Sequence, residues 1–327
     1  MASIETDAGA VAEDRILRED CGLLDRSERG KLALSGPDAV EFLNGQVTNE
    51  LATLAAGEGR YAAFLTHKGK MLGDLRVLAV DGSDGELELL LDTERSALQG
   101  LFDMIRRFKV GYRVELDKRT LERGLISLIG PRAAAIAGAE PGAAEHDNTL
   151  IGIDGTEALA IRIDLGLDLL CRAEDTEKLA AALRERGAAD VGEAAAECLR
   201  VESGRPRYGL DLDDSVIPQE AGLNERAVSF TKGCYVGQET VARLFYKGKP
   251  NRHLRGLRLS APAAGGEPLL LGDREVGRIG SIADSPRLGP IALALVRREA
   301  EPGAKLAVGG GDTVAEVVEL PFGSDAG

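Results

Sequence analysis

The sequence predicts an α+β protein, with a mixed helix–strand region over residues 13–248 and a β-rich domain over 249–327. Three observations lead there. The chain has 327 residues, room for roughly two domains of ~150 residues and a core that needs no staples. Helix-period and strand-period segments follow one another irregularly through the first three quarters. Beyond residue 250 the texture changes to six short β-like pieces between Gly/Pro turns, the pattern of a small all-β barrel or sandwich.

In chain order, residues 1–12 read as a disordered tail and 13–24 as a short helix carrying Ile16, Leu17, Leu23 and Leu24 among charges. Gly30 to Gly36 encloses a short strand. Pro37 fits the first turn of a helix that shows Val40, Phe42 and Leu43 on one face and ends at Asn44-Gly45. Strands at Tyr61 to Thr66 and Met71 to Val80 flank the hairpin loop His67-Lys68-Gly69-Lys70. A turn at Asp81 to Gly85, a strand at Glu86 to Asp92 and an amphipathic helix over 94–108 follow, with strand-like Tyr112 to Leu116 closing a compact sub-lobe over 60–116. Leu125 to Ile129 reads as a buried strand and Pro131 opens a short Ala-rich helix. Strands at 149–153, 158–163 and 167–172 precede helices at Glu174 to Arg186 and Glu193 to Glu202. The irregular run 204–229 is long for a structureless connection in a compact domain, which points to function. The last six pieces are Leu254 to Leu259, Glu267 to Leu271, Glu275 to Ile282, Ile291 to Val296, Lys305 to Val308 and Val314 to Leu320.

Composition excludes several classes. Apolar residues make up 44% and charged residues 29% of the chain, the balance of a soluble globular protein. A net charge of −14 argues against broad binding to nucleic acid or to an anionic membrane. Aromatics at 4%, with no Trp, leave little for base stacking. The four cysteines, Cys21, Cys171, Cys198 and Cys234, lie far apart with no C-x-x-C pair, and the three histidines show no metal-ligand spacing. No stably bound metal is expected. With no disulfide scaffold, no basic n-region and no ~20-residue apolar run, a cytoplasmic location is the expectation, and a monomer is expected as well.

The chemistry concentrates in Phe230-Thr-Lys-Gly-Cys-Tyr-Val-Gly-Gln-Glu-Thr-Val-Ala-Arg243. Glycine admits close backbone approach to a ligand, a lysine near a thiol raises its thiolate fraction, and Gln238-Glu239 offer partners to a polar heterocycle. A packed thiol and a reactive one both remain open here. In the preceding loop, Glu220 of Ile217-Pro-Gln-Glu-Ala-Gly-Leu223 is able to pair with an N–H/NH₂ edge such as that of a pterin, a solvated loop acid being the plainer reading. Seven cations lie between 232 and 258 against the single acid Glu239, either a solvated face or a basic rim for an acidic partner or a polyglutamyl tail. Arg106-Arg-Phe-Lys109 complements the dipole at a helix C-terminus.

Several of these stretches resemble the YgfZ/glycine-cleavage T-protein folate-binding superfamily. They are Gly30-Lys-Leu-Ala-Leu-Ser-Gly-Pro-Asp38, Phe42-Leu-Asn-Gly-Gln-Val-Thr-Asn-Glu50, Lys68-Gly-Lys-Met-Leu-Gly-Asp-Leu-Arg-Val77, Leu199-Arg-Val-Glu-Ser-Gly-Arg-Pro-Arg-Tyr-Gly-Leu-Asp211 and Pro218-Gln-Glu-Ala-Gly-Leu223. Lys232-Gly-Cys-Tyr-Val-Gly-Gln-Glu239 resembles the YgfZ branch in particular. The resemblance implies a cloverleaf of two mixed α/β lobes plus a C-terminal six-stranded β-barrel, around a central cavity for tetrahydrofolate or a one-carbon derivative. It implies a role in assembly or repair of iron–sulfur clusters with client or assembly proteins, tRNA-modifying enzymes among them; the alternatives are a folate-dependent aminomethyltransferase and a non-catalytic docking factor. Glu220 is then expected at the pterin edge, with Lys70, Lys232, Gly233, Tyr235, Gly237, Gln238, Glu239 and Arg243 as further folate-binding residues, Cys234 as the functional thiol and Asp74 lining the site. T-proteins carry paired acids where this chain has Gly73-Asp74, a departure that counts against aminomethyl transfer.

Overall fold

The structure, a computed structural model, describes residues 8–82 and 85–323. Helix α1 (Ala8–Glu19) leads to strands β1 (Gly22–Asp25) and β2 (Gly30–Ser35) and helix α2 (Ala39–Asn44). Strands β3 (Gly59–Leu65), β4 (Met71–Asp81) and β5 (Leu87–Thr93) precede α3 (Leu98–Phe108) and β6 (Glu115–Lys118). Next come β7 (Arg123–Ile129), α4 (Ala133–Ala137), β8 (Asn148–Ile153), β9 (Thr156–Ile163), β10 (Gly166–Arg172), α5 (Thr176–Glu185), β11 (Ala189–Asp190) and α6 (Glu193–Glu202). Helices α7 (Asn224–Ala227) and α8 (Gln238–Lys247) end this region, and β12 (Arg252–Leu259), β13 (Pro268–Leu271), β14 (Arg274–Ser285), β15 (Gly289–Arg297), β16 (Lys305–Val308) and β17 (Val314–Val318) complete the chain.

The strands form two open sheets and a barrel. One sheet runs β3-β4-β5-β2-β6, the other β11-β1-β7-β10-β9-β8, and the barrel closes as β12-β15-β14-β13-β16-β17. The barrel is antiparallel at every junction. The expected α+β architecture with a six-stranded barrel is therefore what the chain adopts.

Period-two alternation explains how the two open sheets pack. On β4, Leu75, Val77 and Ala79 point to the core under α2 and α3, among Phe42, Leu43, Leu101 and Ile105. The intervening Leu78 and Val80 point the other way, onto Leu125, Leu159, Ile161 and Leu170 of the second sheet. That sheet alternates in kind: Ile126, Leu128, Leu167 and Leu169 pack under α4 and α5. The seam between the sheets is apolar at one end. At the other end, the same faces carry Asp74, Arg76, Ser127 and Asp168. Polar groups on facing sheets cannot close without desolvation, so the faces part there around a cavity.

Several local expectations shift. The tail expected over 1–12 is helical from Ala8, because Leu17 packs this helix against Ala196 and Leu199 of α6; residues 1–7 lie outside the described residues. The sub-lobe expected over 60–116 is not contiguous: β2, from residues 30–35, inserts between β5 and β6. The strand expected at Tyr112 to Leu116 begins at Glu115, where pairing with β2 starts. The stretch 230–243, glycine-rich and polar, nevertheless opens a helix at Gln238 that buries Val241.

Candidate functional site

The cavity between the sheets has a volume of about 200 Å³. One cross-strand row builds its floor: Tyr61 on β3 faces Arg76 on β4, which faces Asp92 on β5. Asp74 lies two residues from Arg76 and so on the same face. Arg29, just before β2, adds a second guanidinium to Asp92 at 2.9 Å. The opposite wall is Asp168 on β10 with Ile129, Ile163 and Leu165, and α6 supplies Glu197, Leu199 and Arg200. The start of the long loop closes the rim with Arg205, Pro206 and Arg207, and its end brings Arg226. The loop between α4 and β8 contributes Glu145 and His146.

Seven arginines and seven carboxylates line this space, so their formal charges cancel. Nearly all are spent on each other. Arg76 bridges Asp92 at 2.8 Å and Asp168 at 2.5 Å, tying the two sheets together. Arg207 reaches Glu94 at 3.0 Å and Glu197 at 3.0 Å. Arg200 holds Glu197 at 2.8 Å. Arg205 holds Asp164 at 2.6 Å and Glu145 at 2.8 Å, and Arg226 holds Glu145 at 2.7 Å. Burial alone pushes these acids up, but for Asp92 the flanking Arg29 and Arg76 charges win and hold it far below the usual carboxylate range. Glu145 is likewise brought down to about 2 against its burial, chiefly by the Arg226 hydrogen bond.

Asp74 is the exception. Among the described residues it is the one cavity carboxylate without an arginine partner; its Oδ2 accepts a hydrogen bond from the Tyr61 hydroxyl at 2.5 Å. Its backbone oxygen accepts from the Thr93 hydroxyl, which fixes the strand there. Burial raises its pKa to about 6. A carboxyl poised near neutrality can donate to, or accept from, a ligand nitrogen with little driving-force penalty. His146 is the second unsatisfied group. It is 4% exposed, and neither ring nitrogen has a hydrogen-bond partner.

Gly73 accounts for the missing second acid. A Cβ there would stand 2.6 Å from the Phe64 ring and 2.7 Å from Ala97, both fully packed. No side chain fits without rebuilding this part of the lobe's core.

Of the individual site residues expected from the sequence, Asp74 alone lines the cavity, joined by Arg76, Leu199, Arg200, Arg205, Pro206 and Arg207 of the quoted stretches. Glu220, expected at a pterin edge there, lies outside the lining: Arg252 clamps its carboxylate at 2.9 and 3.1 Å, and it accepts from the Ile217 backbone N–H. Lys70 lies beside it, 3.9 Å from Glu220, and donates to Ser215 O. Lys232 does not face the thiol as expected. Its ammonium donates to the backbone oxygens of Asn44, Val47 and Asn49 at 2.6, 2.9 and 2.6 Å. Burial lowers its pKa to about 8. Three acceptors on one strongly hydrated cation account for its position structurally. Tyr235 is buried in an apolar cluster with Leu65, Met71 and Val241. Gly237 takes φ 84° and its Cα approaches Thr66 O so closely that a Cβ would sit 2.6 Å from it. Gln238 and Glu239 begin α8, Arg243 lies exposed along it, and Gly233 and Cys234 are exposed in the turn before it. Cys234 is thus an accessible thiol outside the cavity, whereas Cys21, Cys171 and Cys198 are buried.

Sequence reasoning missed Tyr61, Arg76, Asp92, Glu145, His146 and Arg226. One signal was present: Asp74 and Arg76 are charges at i and i+2 on a strand that is otherwise apolar, which marks a polar stripe on one face. Nothing local marks His146, which lies in an irregular loop. Among the described residues no cluster of His, Cys, Asp and Glu is disposed to hold a metal, and no helix is long and apolar enough to cross a membrane.

Fold and cavity define a class: an α+β scaffold whose two sheets part around a half-open site lined by charged side chains and apolar walls, with a closed antiparallel barrel appended. Comparison with known proteins gives that class its family. Residues 4–232 match the model of the GCVT N-terminal domain and residues 252–323 that of the glycine cleavage T-protein C-terminal barrel domain. The chain belongs to the glycine cleavage T-protein family. An aminomethyltransferase of Rubrobacter xylanophilus is 31% identical, over 96% of this chain and 86% of its own length. One of Streptomyces avermitilis is 32% identical over 95% and 88%. The crystal structure of glycine cleavage system aminomethyltransferase T from Bartonella henselae superposes with a TM-score of 0.83 at 26% identity, covering 96% of this chain and 89% of the other.

Proposed function

We propose that the central cavity binds tetrahydrofolate or a one-carbon derivative of it, with Asp74 as the acid that meets a ring nitrogen or the carbon carried on it. Tetrahydrofolate supplies the one-carbon unit; the chain's own residues bind and orient it. The observation that carries the reading is Asp74 itself, buried, unpaired by arginine, held by Tyr61 and raised to about 6. Ile129, Ile163 and Leu165 offer apolar walls to a flat heterocycle, and the unpartnered His146 adds a polar contact. Family membership supports the same ligand.

Two activities build on this site. The printed names of the relatives support aminomethyl transfer, and they speak for it more strongly than for the other role. The second role is the YgfZ-type one, assembly or repair of iron–sulfur clusters in client enzymes. Two local features favour it: the packed Gly73 that excludes a paired acid, and the exposed Cys234 in Lys232-Gly-Cys-Tyr-Val-Gly-Gln-Glu239. One thiol cannot hold a cluster, which takes about four thiolates, so a client or carrier supplies the others. Release of ammonia from an aminomethylated lipoyl carrier, dependent on tetrahydrofolate, decides between them. Turnover that Asp74→Asn abolishes establishes transfer. No turnover, together with loss of cluster-enzyme activity in cells carrying Cys234→Ala, establishes the second role.

A further inference from the structure

His146 is built into the cavity wall at a cost, and neither ring nitrogen of its side chain has a hydrogen-bond partner there. Its φ is 74°, a left-handed conformation few non-glycine residues adopt. Its backbone presses against β3, where only the missing side chain of Gly59 admits it: a Cβ there would lie 2.4 Å from His146 O. The ring lies 6.3 Å from that of Tyr61, centroid to centroid, and Tyr61 in turn donates its hydroxyl to Asp74. Nε2 lies 3.7 Å from Glu145 Oε1, too long for a hydrogen bond, and Nδ1 has no partner. Glu145 is kept anionic by Arg205 and Arg226. Burial first, then the Arg76 cation, keeps the imidazole neutral, with a pKa down to about 3.

We propose that His146 is the specificity-determining residue for the oxidation state of the bound pteridine: Glu145 holds the Nε2–H tautomer, and Nδ1 accepts a hydrogen bond from a ring N–H that only the reduced ring possesses. The inference rests on the cavity being the folate site and deepens that reading. The chemistry is a matter of donor polarity. A tetrahydropteridine carries N–H at position 8, and at position 5 when unsubstituted; the fully oxidised ring of folic acid has lone pairs at both. A lone pair on Nδ1 accepts from the first and repels the second. Flipping the tautomer does not rescue the oxidised ligand, because it turns an Nε2 lone pair toward the Glu145 carboxylate. The long Nε2–Glu145 contact is of the kind that tightens when a ligand seats.

The test is a calorimetric titration of tetrahydrofolate and of folic acid, without oxygen, into the full chain and into His146→Phe, His146→Gln and Glu145→Gln, with a melting curve for each. The full chain is expected to prefer tetrahydrofolate, and His146→Phe to shrink that preference by about tenfold, the effect of removing one buried polar partner. His146→Gln, whose amide turns to present either a donor or an acceptor, is expected to keep tetrahydrofolate binding and to tighten folic acid. Glu145→Gln, which releases the tautomer, is expected to shrink the preference with His146 intact, so the idea stays testable if His146→Phe does not fold. A preference unchanged in the folded variants overturns this inference alone, since it places His146 against groups common to both rings. Failure of the unaltered chain to bind either folate overturns the folate reading itself.

Discussion

At the scale of single residues, the cavity is defined by who lacks a partner. Asp74 is raised to about 6 from an unfolded value near 3.8, so the folded state binds the extra proton in that window. Its favourable contribution is complete below pH ~3.8 and disappears as pH rises through about 6. Above that the ionised form costs roughly 2–3 kcal/mol. Asp74→Asn is therefore expected to raise the melting temperature at pH 7.5 and to leave it unchanged near pH 3.8, while weakening folate binding. His146 has the opposite sense: with a folded pKa of about 3 against 6.5 unfolded, stability is full above 6.5 and declines as pH falls toward 3. At Gly73, Gly73→Asp is expected to destabilise by about 1–3 kcal/mol in chemical denaturation through overpacking against Phe64 and Ala97. It is not expected to restore a working acid pair.

At the scale of elements, the strand β4 carries the argument, because its two faces belong to different problems. Leu75, Val77 and Ala79 build one lobe's core, while Asp74, Arg76, Leu78 and Val80 run from cavity to apolar seam. Arg76→Ala leaves Asp168 and half of Asp92's pairing buried and uncompensated, and an unfolding free energy lower by about 3–5 kcal/mol is expected in urea. The Lys232 ammonium does similar work elsewhere, tying the turn before α8 to the segment 44–49. Lys232→Met strips three backbone oxygens of their donor and is expected to cost about 3 kcal/mol or more, with no change in Cys234 alkylation rate beyond that of local loosening. A cysteine motif read in sequence as a reactive site is thus in part a structural clasp. The sequence shows a lysine near a thiol; it does not show that three carbonyls from residue 44 onward stand closer.

At the scale of the whole molecule, the architecture was legible because it rests on local periodicity. The six terminal strands announced themselves by alternation and Gly/Pro turns, and the helices α3, α5 and α6 by their apolar spacing. What was not legible depends on long-range pairing. β2 completes a sheet whose other strands begin at residue 59 and beyond, and the start of α1, residues 8–12, is polar enough to pass for a tail until α6 gives the helix a face. The candidate site follows the same rule. Asp74 was visible in a motif, whereas Tyr61, Glu145, His146 and Arg226 come together only when two sheets part around the cavity. The most direct test of the central claim is a titration of tetrahydrofolate into the unaltered chain and into Asp74→Asn at pH 7.5. The account predicts saturable one-to-one binding that the substitution weakens by about tenfold or more. Absence of binding, or equal binding to both proteins, would contradict it.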